Sequence, residues 1–110
     1  AAGTANAACT YPKAPEKIPD GGSATLEEMI TAQRAVKQFD ADITAYQNCV
    51  ETEFSDAMAK EASLTEEQKK ERRKIVDQKL NAAVDDAQGL ADRLNAQIRV
   101  YKEKAAAKKN

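Results

Sequence analysis

Helix breakers are segregated in this chain. All three prolines (Pro12, Pro15, Pro19) and three of the four glycines lie within residues 1–23, and neither type recurs until Gly89. Proline fixes φ and lacks a backbone donor, so the first segment cannot be a continuous helix. Its spacing suits an extended, polyproline-like arm that ends in a turn at PDGG, Pro19–Gly22. Everything after Ser23 is free to form long helices.

Two helix starts are written into that remainder. Thr25-Leu-Glu-Glu28 and Thr65-Glu-Glu-Gln68 have the form of capping boxes, in which the threonine hydroxyl and the Glu or Gln side chain satisfy each other's backbone amides. After the first, Met29, Val36, Ile43, Val50 and Ala57 recur every seven residues, joined by Ala32, Phe39 and Tyr46. This is one apolar stripe of an amphipathic helix. After the second, Leu80, Val84, Ala87, Ala91, Leu94, Ile98, Tyr101 and Ala105 alternate spacings of four and three. Ser63, Leu64 and Thr65 interrupt the pattern between them, and so short a connection makes antiparallel neighbours. The expected fold is therefore all-α: an antiparallel two-helix hairpin, over about 25–62 and 66–107, with coiled-coil-like seams. It carries an extended arm over 1–23, and the arm and the hairpin of 24–110 form one domain.

Counting outward from the turn places Cys49 near Lys79 and Phe39 near Gly89. Gly89 falls on the outward side of the second stripe, where it marks a bend, a close backbone approach or a tolerated surface glycine. The first turns of the second helix, EEQKKERRK (66–74), hold no apolar side chain, so the turn end is expected to be a solvated, mobile tip.

Aromatics are only 5 % of the chain and tryptophan is absent, so the core is thin and needs staples or partners. The two cysteines, Cys9 and Cys49, supply a staple. From Thr25 to Cys49 a helix runs about 36 Å at about 1.5 Å per residue. From Ser23 back to Cys9 a polyproline arm covers about 43 Å at about 3.1 Å per residue. If PDGG reverses the chain, the arm runs back along the hairpin and delivers Cys9 to Cys49, with Tyr11 and Ile18 as its apolar contacts. The same length lets the arm cross to Cys49 of a neighbouring copy. Either disulfide implies an oxidising compartment, and the small polar start AAGTANAA suits a mature chain after signal-peptide removal. The localisation expected is periplasmic or secreted; two unrelated thiols in a cytosolic protein are the bland alternative.

Composition also excludes functions. Seventeen basic against eighteen acidic side chains give a net charge of -1, without the basic surplus that nucleic-acid binding requires. No apolar run approaches the roughly 20 residues of a membrane span. With no histidine, acid–base work near neutral pH would fall to strongly desolvated carboxylates or lysines. The acidic pairs Asp85–Asp86, Glu51–Glu53 and Glu66–Glu67 lack calcium-loop spacing and read as surface charge. No catalytic residue, metal ligand or cofactor site is expected. The basic tail YKEKAAAKKN complements the helix dipole or touches an anionic surface.

SLTEEQKKE (63–71) is similar to the LTxxQ motif of the periplasmic Spy and CpxP family of helical chaperones and stress adaptors, whose members form cradle-shaped dimers. The likeness covers Leu64, Thr65 and Gln68, and the second copy of the motif is missing. A broader likeness is to a group of small, mostly uncharacterised exported proteins of Gram-negative bacteria. It runs through the Cys- and Pro-rich arm, IPDG (Ile18–Gly21), the Thr25–Met29 helix start, AQxAVK (Ala32–Lys37), YxxC (Tyr46–Cys49), LTEEQ, NAAVD (Asn81–Asp85) and ADRLN (Ala91–Asn95). That resemblance implies export and a shared helical design.

Apolar residues off the main stripes point to self-association: Leu26, Ile30, Phe54 and Met58 on the first helix, Ile75, Val76, Leu90 and Val100 on the second. Two helices and an arm cannot cover them all, and pairing into a four-helix bundle or a filament would. The expected function is a non-catalytic structural or interaction protein of the cell envelope or exterior. Its partner is a further copy of itself, or another envelope protein. A periplasmic holdase-like chaperone or stress-sensing adaptor is the alternative.

Overall fold

The computed structural model of the chain describes residues 9–109. Residues 1–8 of the expected arm and Asn110 of the expected hairpin lie outside the described residues. Two helices make up the fold, α1 (Leu26–Lys60) and α2 (Glu66–Lys109). Both capping boxes form. The Thr25 hydroxyl accepts from the Glu28 amide at 3.1 Å while Glu28 Oε1 accepts from the Thr25 amide at 2.8 Å. Thr65 and Gln68 repeat the arrangement at 3.1 and 2.9 Å. Acidic side chains occupy the first turn of each helix, Glu27 and Glu28 in α1, Glu66 and Glu67 in α2, where the helix dipole favours them.

The helices pack antiparallel, with Phe39, Ile43, Ala83 and Leu90 at the centre of the core and Met29, Val50 and Leu94 buried along its length. Phe39 and Leu90 share that core cluster, in keeping with the register that sets Phe39 near Gly89. The molecule is a thin plank, 71 × 34 × 15 Å, with a radius of gyration of 19.8 Å. A compact domain of this length has about 13 Å. Such a shape leaves much of each helix at the surface.

The α1 stripe is buried as its heptads predict; the α2 stripe is rotated. Val84, expected inside, is 46 % exposed, while Ala83 is wholly buried and Leu90 is 2 % exposed. The cause is the arm, residues 9–22, which lies as a strap along the same flank of α2 as Leu90. Its Ile18 packs against the core cluster, and Pro15 to Ile18 face Leu90, Arg93, Ala96 and Gln97. A third element widens the buried sector of α2 toward itself and turns the opposite flank, with Val84, to solvent.

At the turn the strap is seated backbone against backbone. Ser23 and Ala24 both donate to the Asp20 carbonyl, at 3.0 and 2.8 Å, and the Asp20 carboxylate accepts from the Gly22 amide at 2.8 Å. The Gly21 amide donates to Gln97 Oε1 at 2.8 Å. A Cβ on Gly21 would overlap the Gln97 carbonyl oxygen and stand 2.8 Å from the Tyr101 amide nitrogen. Close backbone approach, considered for Gly89, thus occurs at Gly21. Gly89 is exposed in an unbroken α2, with nothing within 4 Å of the place of its Cβ.

Candidate interaction surface

Cys9, the first described residue of the strap, is bonded to Cys49 of the same chain, 40 residues away, with Cα atoms 5.7 Å apart. Next to it Tyr11 sets its ring edge-on to Tyr46, centroids 4.9 Å apart, and its hydroxyl donates to the Asp86 carboxylate. Desolvation against the hairpin, then the bond to Asp86, pushes the Tyr11 phenol up to about 12. At the other end Lys104 donates to the Gly22 carbonyl. Asp86, which reads as surface charge in the sequence, and Lys104, in a tail that reads as a complement to the helix dipole, each hold one end of the strap.

Beyond Cys49 no described residue of the strap covers the groove between the helices. There an open cleft of about 590 Å³ is lined by Val50, Phe54, Ala57 and Met58 of α1 and by Ile75 and Val76 of α2, with charged rims. Four of the eight predicted surface residues therefore meet: Phe54, Met58 and Val76 half-buried, Ile75 47 % exposed. Leu26, 60 % exposed, and Ile30 lie at the far end of α1. Ile30 lines a second groove with Val36, Ala87, Ala91 and Ile98, on the face away from the strap. Val100 is exposed beside Gly22. Leu90 does not belong to the surface set: it is core, covered by Ile18, because the strap claims its flank of α2.

The turn end is solvated, yet tied. Arg73 grips Glu51 with two bonds of 2.8 and 2.9 Å, bonds Asp77 on its own helix, and lies over the Phe54 ring at 5.1 Å from its centroid. Arg72 pairs with Glu61 at 2.7 Å. The hydrogen bonds from Arg73 hold the Glu51 carboxyl below the usual carboxylate range, and Glu51 followed by Asp77 pushes the Arg73 guanidinium higher still. This clasp was missed because an all-charged run carries no apolar signal. The pairing register, which sets Glu51 close to Arg73 across the hairpin, was the clue.

Among the described residues no three His, Cys, Asp or Glu side chains are grouped to hold a metal ion, and no helix is long and apolar enough to cross a membrane. No family model, curated protein or solved structure matches the chain.

Proposed function

We propose that the chain is a non-catalytic structural or interaction protein of the cell envelope or exterior that self-associates through its helix faces. The observation that carries this is the cleft at the turn end, where Phe54, Met58, Ile75 and Val76 share one groove that no third element among the described residues fills. Apolar side chains scattered singly over a surface need no partner, whereas a contiguous set in a concave groove is what helical association buries. The Cys9–Cys49 bond supports an oxidising compartment, periplasmic or extracellular. The likeness to exported proteins of Gram-negative bacteria points the same way.

A holdase-like chaperone or stress-sensing adaptor is the second reading. It is favoured by the openness of the same cleft, by flexible Met58 within it, and by the LTEEQ likeness to the Spy and CpxP family. Light scattering of the oxidised chain across a range of concentrations separates the two, with electron microscopy to detect filaments. Mass that rises with concentration is expected. A concentration-independent monomer that suppresses aggregation of an unfolded client would overturn self-association in favour of the chaperone.

A further inference from the structure

We infer that the turn-end cleft is the self-association site and that its occupant is the same cleft of a second copy, in a two-fold dimer that sets α1 of each chain over α2 of the other. This rests on the self-associating function proposed above and adds the surface, the partner and the orientation.

Location is the first argument. Glu53, on the cleft rim, lies one helical turn beyond Cys49, where the disulfide pins the strap. Ile75 and Lys79 stand eleven and seven residues before Asp86, about three and two turns, and so share its flank of α2. Asp86 is the residue that receives the strap's Tyr11. The cleft is thus the continuation of the strap's own groove. From Gly21 to Cys9 the groove is filled by the chain itself; past Cys49 it is empty of covering chain among the described residues.

Charge is the second. The α1 wall presents Glu53, Asp56 and Lys60, acidic on balance, and the α2 wall presents Lys79. Among the described residues none of these four makes an ion pair. The charges that are paired, Arg72 with Glu61 and Arg73 with Glu51, are satisfied within the chain. A two-fold axis running along the cleft brings the acidic α1 wall of each copy against the basic α2 wall of the other. A two-fold axis across the helices would oppose acid to acid. Isologous pairing demands a self-complementary patch, and the first orientation supplies it. It also packs Phe54 and Met58 against the partner's β-branched Ile75 and Val76, large side chains against compact ones.

The test uses the full-length oxidised chain in analytical ultracentrifugation. Ile75 is exposed and makes no named contact that holds the hairpin, so Ile75→Asp should keep the far-UV helical signal and weaken the dimer by at least about tenfold, through loss of two buried side chains per dimer. Lys79→Glu alone should weaken it as well. Adding Glu53→Lys and Asp56→Lys to Lys79→Glu should restore it, because the walls have exchanged sign. An oligomer unaffected by Ile75→Asp and by the charge exchange would overturn this site while leaving self-association standing. A wild-type monomer at every concentration would overturn both. A monomer whose client protection is lost on Ile75→Asp would assign the cleft to a client instead of a second copy.

Discussion

Replacing Cys9 and Cys49 by serine should be the most damaging simple change to this fold that leaves its core untouched. The bond joins residues 40 apart, and on the chain-entropy model a loop of that size raises the free energy of the unfolded chain by about 4 kcal/mol. That is a large share of the 5–15 kcal/mol or so that stabilises a typical domain. At about 4–8 °C per kcal/mol the melting temperature should fall by roughly 15–30 °C. Urea unfolding, followed by far-UV circular dichroism, should show the midpoint fall and the denaturant dependence steepen, because an unlinked denatured chain exposes more surface. Cys9→Ser alone, Cys49→Ser alone and the double variant should lose the same amount, since each removes one and the same bond. In the native state the loss should be local: the Tyr11 end of the strap, ten residues from its anchor at Gly21, should gain hydrogen exchange while the α1 and α2 amides keep their order of protection. A loss under about 1 kcal/mol would refute the reasoning, for the strap would then be held by its contacts alone and the loop-closure argument would carry no weight.

The two interior glycines should respond in opposite directions. Gly21→Ala drives a methyl into the Gln97 carbonyl and the Tyr101 amide, both rigid backbone, and should destabilise by about 1–3 kcal/mol, as overpacking does. Gly89→Ala meets nothing within 4 Å in an unbroken helix and should stabilise by about 0.5–1 kcal/mol; thermal melts of the two variants against wild type decide both. The Tyr11 phenol, pushed up to about 12 from an unfolded value near 10, should add stability that is fully present below about pH 10 and lost as pH rises through 12. The stability gap between wild type and Tyr11→Phe, read by urea unfolding, should therefore be constant near neutrality and narrow across that alkaline window.

The parts legible in the sequence are those governed by local rules. Proline and glycine placement marked the strap, threonine capping boxes marked both helix starts, and heptads marked the buried face of α1. Even the reach of Cys9 to Cys49 followed from residue rises. Legibility stopped where a third element altered the answer. Val84 and Leu90 exchange roles on α2 because the strap sits on one flank, and periodicity within one helix does not say which flank a non-helical segment will cover. Asp86 reads as surface charge and Lys104 as a complement to the helix dipole for the same reason: their partners, Tyr11 and the Gly22 carbonyl, are 75 and 82 residues away in sequence.

The point at which the strap is pinned also bears on where a partner would pack. With its turn docked at Gln97 and Tyr101, the arm from Gly21 to Cys9 covers the groove as far as Cys49, where the disulfide pins it. On the covered half, Ile18 completes the core and Leu90 is buried. On the uncovered half, α1 and α2 form a single layer, and an amphipathic helix pair with one layer leaves one side of its seam to solvent. Charge takes over some of the work there, in the clasp of Arg73 with Glu51 and of Arg72 with Glu61. Those bonds join the helices edge to edge and leave Ile75 exposed in the groove between them. Among the described residues no third element closes that groove, and there a second copy would supply the missing layer.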